Sequence, residues 1–244
     1  MADNVEVTLY DIPARPPVFC WSYNPWKVRL LLNYKQIPYK TQWTEYPDLA
    51  PVISALNVPP NDDGNAAYTS PAVVFHSDKT AIMESRKIAA EIEKRFPSKP
   101  VPIETPGREK VVKALQAFFP KVRTELIPNV PRNVLPERSK EYFERTRSET
   151  FGMDIYEWEK IKYGEKPWEA CEGDIKELGK LYHEDESGPF LEGNEVTFAD
   201  FTVVGILEFI RVLNKPGFDR VLEIDTAFVK LYDACKPWLE RTSY

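Results

Sequence analysis

An α/β domain joined through a proline-rich linker to an all-α domain is the architecture this sequence predicts, and three observations predict it. Strand and helix signals alternate over the first hundred residues. Residues 97–107 then carry Pro97, Pro100, Pro102, Pro106 and Gly107, and beyond them the apolar periodicity is almost wholly helical. The chain has 244 residues, enough to bury two modest cores. We divide it into 1–97, the linker 98–107, and 108–244.

The elements follow in order. Residues 5–10, Val-Glu-Val-Thr-Leu-Tyr, read as a strand. Across a proline-rich loop, Pro25 suits the first turn of a helix, and Val28, Leu31 and Leu32 recur at the spacing of its buried face. Residues 39–43 are extended with alternating aromatics, which completes a βαβ unit. Residues 72–75 and 81–83 are short apolar runs around the polar turn His76-Ser77-Asp78-Lys79, the pattern of an antiparallel hairpin. From Ser85, read as the N-cap, Ile88, Ala89, Ile92 and Phe96 fall at helical spacing and predict a helix that covers the sheet. The order βαβ-ββα on a short sheet is the thioredoxin-like arrangement. In the second domain the helical stripes run through Val111, Leu115, Phe118 and Val122; Phe151, Ile155 and Trp158; Trp168, Cys171, Ile175, Leu178 and Tyr182; and Phe228, Leu231, Cys235 and Trp238.

Composition removes several function classes. With 32 Lys+Arg against 38 Asp+Glu the net charge is -6, which gives no general attraction to nucleic acid or to an anionic membrane. The N-terminus lacks an apolar signal core, and the longest suitable apolar run, 201–207, is far too short to span a bilayer, so a cytoplasmic protein is expected. Three cysteines, Cys20, Cys171 and Cys235, are far apart and form no CxxC, against a disulfide framework or a structural zinc site; Cys171 and Cys235 sit on apolar stripes and read as buried thiols. Two histidines, His76 and His183, leave little for a metal centre, and none is expected.

The chemistry concentrates at Ser22-Tyr23-Asn24-Pro25-Trp26-Lys27-Val28-Arg29. Ser22 lies just upstream of the first helical residue, where unpaired N–H groups and the positive end of the helix dipole point. An anion such as a thiolate is stabilised there. Ser22 can equally be a cap, and Asn24 a cap or a ligand contact.

Those residues resemble the glutathione S-transferases, and further motifs extend the resemblance over nearly the whole chain. Serine-type members carry the thiol-activating Ser seven residues before a helix Arg, as Ser22 and Arg29 stand here. The family's cis-proline before the hairpin is matched by Ser70-Pro71, and its Glu-Ser pair for the γ-glutamyl end by Glu84-Ser85. Thr197 and Asp200 match its folding signature, a capping box with Val196 and Phe201 spaced as a hydrophobic staple. Two insertions, the loop 11–21 and residues 57–68, are similar to those of fungal etherase-like transferases, relatives of bacterial β-etherases.

The resemblance implies glutathione as co-substrate, no metal, a homodimer, and glutathione contacts from Ser22, Asn24, Ser70, Pro71, Glu84 and Ser85. Ser22 would stabilise the thiolate for attack on a hydrophobic aromatic electrophile walled by Phe19, Trp21, Tyr23 and Phe119, with aryl ether cleavage and detoxification of phenolics as the expected outcome. Trp26 and Arg29 read as packing and buried-pair residues. Within enzymes the rival is Cys-based thiol transfer, for which Cys20 is two residues short. Tyr10, Tyr23 and Tyr34 invite a tyrosine-type site, and the spacing to Arg29 selects Ser22 over them. Outside enzymes the rival is a noncatalytic ligandin that stores phenolic compounds in the same pocket.

Overall fold

The computed structural model describes residues 5–62, 66–161 and 166–242. The first unit runs β1 (Val7–Asp11), α1 (Tyr23–Lys35), β2 (Tyr39–Trp43), α2 (Tyr46–Ser54), β3 (Ala72–Phe75), β4 (Ala81–Met83) and α3 (Ser85–Arg95). Strand order is β2-β1-β3-β4, with β1 parallel to β2 and antiparallel to β3, and the β3–β4 hairpin antiparallel. Leu9 at the centre pairs with Thr41 on one side and Val73 on the other, and the thioredoxin-like sheet is thereby complete.

Helix α2 corrects the βαβ-ββα order to βαβαββα. It starts with Pro47 in its first turn and carries Pro51 inside, so its sequence looks like a breaker-rich loop; burial of Leu49 and Ile53 holds it helical. Residues 63–65 of the second insertion lie outside the described residues.

The helical unit holds α4 (Pro106–Leu126), a π-helical turn (Val130–Val134), α5 (Glu137–Phe151), α6 (Ile155–Lys160), α7 (Pro167–Ala170), α8 (Glu172–Leu181), α9 (Phe198–Leu213), α10 (Lys215–Ile224) and α11 (Thr226–Leu239). Pro106 and Gly107, read above as linker, form the first turn of α4, where a proline's missing N–H costs nothing, and Thr105 caps it from the Arg108 N–H at 3.2 Å. The stripe Phe151-Ile155-Trp158 belongs to two helices, since Gly152 ends α5 at φ 70°; Phe151 and Trp158 stack across the break at 4.1 Å.

The capping box at α9 forms as read. The Asp200 carboxylate accepts from the Thr197 N–H at 2.7 Å and the Thr197 hydroxyl at 2.8 Å, and also from the Leu191 N–H at 2.9 Å. Burial pushes the Asp200 carboxyl up to about 6 against those bonds.

What positions the site is the packing of α1 against α9. At Gly205, in the middle of α9, a Cβ would stand 2.9 Å from the Tyr23 carbonyl oxygen and 3.4 Å from Trp26 Cβ. A glycine there costs helix stability of about 1 kcal/mol and lets the two helices meet at the start of α1.

Candidate active site

Ser22 is the N-cap of α1, with extended backbone (φ -77°, ψ 131°) and no cap hydrogen bond from its side chain. Part of the reason lies three residues on. An N-cap hydroxyl bonds the N–H of the second or third helical residue, and the third here is Pro25, which has none. The Trp26 N–H closes the first turn on the Ser22 carbonyl at 3.2 Å, while the Tyr23 and Asn24 amides precede that bond. A serine hydroxyl and a helix N-terminus thus stand together, uncommitted to capping.

Two basic side chains fix this terminus. Arg29, one face round the helix, makes a buried ion pair with Asp11 at the end of β1 at 2.8 Å and donates to the Tyr39 and Thr41 hydroxyls at 3.2 and 3.1 Å. Burial pushes the Asp11 carboxyl up and Arg29 pulls it back. Lys27 donates to Asn24 Oδ1 at 2.8 Å, with its ammonium 5.3 Å from the Tyr23 ring centre. Burial pushes the Lys27 amine down to about 8, opposed by nearby Glu84. Asn24 is the second helical residue and caps nothing, and its side-chain carbonyl oxygen is taken by Lys27.

Ser22, Tyr23, Asn24, Trp21, Ser70 and Phe119 line one cleft of about 550 Å³. The Ser70-Pro71 bond is cis, and the Ser70 hydroxyl donates to the Tyr10 carbonyl at 3.1 Å. Pro71, Glu84 and Ser85 are not among the lining residues, and Glu84 reaches the cleft's rim through Thr69, whose hydroxyl donates to it at 3.2 Å. Glu84, not Ser85, is the N-cap of α3, at φ 78° and ψ 115°. Held in the left-handed region without a glycine, that residue carries strain of about 1–3 kcal/mol, and such strain concentrates at functional positions.

Phe19 is the one wall residue that does not belong. The loop reverses at Pro16-Pro17, and Cys20, buried, donates its thiol to the Thr242 carbonyl at 2.6 Å. Phe19 therefore emerges half exposed into a separate cavity beside Trp26 and Tyr232, away from Ser22. Trp21, two residues on, is 3 % exposed and packs on Tyr46 and Phe209.

The other titratable candidates are inert. Burial pushes the Cys20 and Cys235 thiols upward and Cys171 up to about 11, so none is a thiolate at neutral pH. Burial also raises the Tyr23 phenol, whose ring packs against Phe119 at 5.8 Å and edge-on to Phe209 at 5.5 Å. His76 bonds the Thr8 hydroxyl and His183 bonds Asp225, and neither lines the cleft. Among the described residues no group of three His, Cys, Asp or Glu side chains could hold a metal, and no helix is long and apolar enough to cross a membrane.

Several lining residues were not anticipated: Tyr46 and Leu49 on α2, Arg123 on α4, Tyr142, Phe143 and Arg147 on α5, Phe209 on α9, Ala66 to Tyr68 from the second insertion, and Thr69 just after it. The arginines leave one signal in the sequence, an aromatic residue four positions before each: Phe119 before Arg123 and Phe143 before Arg147.

Comparison with known proteins gives the family. Residues 21–95 match the family model of the glutathione S-transferase N-terminal domain, and 110–238 that of the C-terminal domain. The chain is 32 % identical over 238 residues to the glutathione S-transferase-like protein ustS of Aspergillus flavus, covering 90 % of this chain and 85 % of that one. Among solved structures, a glutathione S-transferase of Ceriporiopsis subvermispora in complex with glutathione aligns at TM-score 0.82 and 27 % identity over 96 % of this chain and 97 % of its own. The glutathione transferase GSTFuA2 of Phanerochaete chrysosporium aligns at 0.84 and 25 % over 98 % and 99 %. Matching domain models on either side of the linker and a relative aligned along nine-tenths of its length, the chain belongs to the glutathione S-transferase family.

Proposed function

We propose that the cleft binds glutathione with its sulfur at Ser22 and transfers the tripeptide to a hydrophobic aromatic electrophile. The observation that carries this reading is the Ser22 hydroxyl itself, set at a helix N-terminus in the cleft and making no cap bond. The hydroxyl donates to the sulfur, and the Tyr23 and Asn24 amides with the helix dipole add to the field that favours thiolate over thiol. A free thiol titrates near ~8.5, and each unit of depression is worth about 1.4 kcal/mol, so one to two units suffice. The proton leaves to solvent, the sulfur forms a bond to an electrophilic carbon, and the carbon–oxygen bond of an aryl ether, or the bond to another leaving group, breaks with its electron pair.

Glutathione would lie from Ser22 towards α3, the Ser70 backbone pairing with its cysteinyl part and Glu84 with the γ-glutamyl ammonium. Conjugation of phenolics, and with it detoxification, is the substrate class this reading favours. Its noncatalytic alternative, storage of phenolic ligands, is favoured by the ring walls of Tyr23, Phe119 and Phe209, which would hold a flat molecule whether or not turnover follows.

Ser22→Ala should lower turnover by ~10 to 1000-fold with glutathione affinity within about twofold of the parent, since the hydroxyl acts on the thiolate. Steady-state kinetics and calorimetry on the same preparations test this. Unaltered turnover would transfer the role to Asn24 or Tyr23, and tight phenolic binding without conjugate from a panel of electrophiles would establish storage.

A further inference from the structure

The cleft beside Ser22 has a charge asymmetry that its apolar walls do not require. Arg123 and Arg147 line it, and among the described residues no Asp or Glu does. Neither guanidinium has a carboxylate within ion-pair distance among the described residues, whereas Arg29, Arg95, Arg132, Arg138 and Arg211 are each paired. In a chain of net charge -6, two such cations at one cleft are not a by-product of composition.

Aromatic rings hold them instead. Arg147 stands 4.6 Å from the Phe143 ring centre and 5.9 Å from that of Tyr46, and Arg123 is 5.6 and 5.5 Å from Phe151 and Trp158. Ring faces engage the flat of a guanidinium and leave its N–H edge for an acceptor, and among the described residues the one such bond runs from Arg147 to the Thr146 hydroxyl at 3.3 Å. Both charges are felt at the Tyr23 hydroxyl, where they oppose the upward push of burial. A further donor supports the same reading: the indole N–H of Trp21, buried in this wall, has no partner among the described residues.

We propose that the acceptor substrate of this cleft is an aromatic acid, its ring on Tyr23, Phe119 and Phe209 and its carboxylate held by Arg123 and Arg147. The proposal rests on the reading of the cleft as the acceptor site. A guanidinium recognises a carboxylate through paired N–H donors, and apolar surroundings strengthen that contact relative to water. Both arginines come from the helical unit, α4 and α5, while Ser70, Glu84 and Ser85 lie on the other unit, so the acceptor and not the tripeptide is the anion they face.

The test is calorimetry on the full chain with 2-naphthoate and its neutral counterpart 2-naphthalenemethanol, each with and without saturating glutathione. The acid should bind at least about tenfold more tightly at low salt, with the margin narrowing in about 0.5 M salt. Arg123→Gln and Arg147→Gln should each reduce that margin and together erase it, while the alcohol stays within about twofold of its parent affinity and so reports an intact pocket. Equal binding of acid and alcohol, or a margin that survives both substitutions, overturns the proposal. Loss of glutathione affinity in the variants with the acid preference intact also overturns it and assigns the arginines to the tripeptide's own carboxylates. An arginine-dependent acid preference in a protein that fails to bind glutathione upholds the aromatic-acid site and removes only the glutathione reading.

Discussion

Helices α1 and α9 each begin with a hydroxyl residue at the cap, and these two beginnings do opposite things. At α9, Thr197 is fully buried and tied to Asp200, which also takes the Leu191 N–H. At α1, Ser22 lines a cleft and its hydroxyl makes no cap bond. The third residue of the helix decides the outcome: Asp200 returns to the cap in one, and Pro25 offers neither a carboxylate nor an N–H in the other. A helix start that is completed by its own side chains serves folding, and one left incomplete is available to a ligand.

The comparison breaks most severely at Arg29, which anchors the open terminus. Arg29→Met leaves the Asp11 carboxylate buried without its partner and should cost about 3–5 kcal/mol, read as a fall in the urea midpoint. The closed terminus has its own signature in pH. Because burial raises the Asp200 carboxyl to about 6, above its unfolded value, its contribution to stability is full below pH ~4 and lost as pH rises through ~6. Asp200→Asn should remove that segment of the profile, of order 1–3 kcal/mol, at a constant cost from one mismatched N–H, with glutathione affinity of the folded protein unchanged.

Gly205→Ala sharpens the contrast by moving the open terminus alone. Its methyl meets the Tyr23 carbonyl, so turnover should fall by ~3 to 100-fold from misplacement of Ser22. Stability should change by less than ~2 kcal/mol, since better helix propensity offsets crowding. The smallest effect is expected at Ser22: Ser22→Ala should shift the melting midpoint by no more than a surface substitution, ~0.5 kcal/mol or less, because no cap bond is lost. A loss of 1 kcal/mol or more would mean the hydroxyl caps α1 after all.

Much of this was legible because it is local. The hairpin around His76–Lys79, the Thr197–Asp200 box and the Ser22–Pro25 start are each fixed by residues within a few positions of one another. Pro25 even announces that Ser22 has no third-residue N–H to cap. Helix α2 was hidden by its prolines, since Tyr46–Ser54 is helical through tertiary burial of Leu49 and Ile53. Phe19 was misplaced because the reversal at Pro16-Pro17 and the Cys20 bond to Thr242 set its direction, and the second is a contact across 222 positions. Arg123 and Arg147 carried a spacing signal, but their meeting at one cleft depends on how α4 and α5 sit together, which no local pattern encodes.

The burial of Cys20, Cys171 and Cys235 has a consequence for the redox life of the protein. A catalyst that ionises a small thiol works in a pool that also contains the corresponding disulfide, and any accessible thiolate of its own would exchange with that disulfide and end as a mixed adduct. Here every cysteine is buried and held protonated, and Ser22, which the proposed function puts beside the incoming sulfur, is an oxygen analogue that cannot join the exchange. On that proposal, and with no cysteine among the described residues that line the cleft, the nucleophilic sulfur is the one the substrate brings, so the protein should remain unmodified through an oxidising episode that would disable a cysteine-based relative.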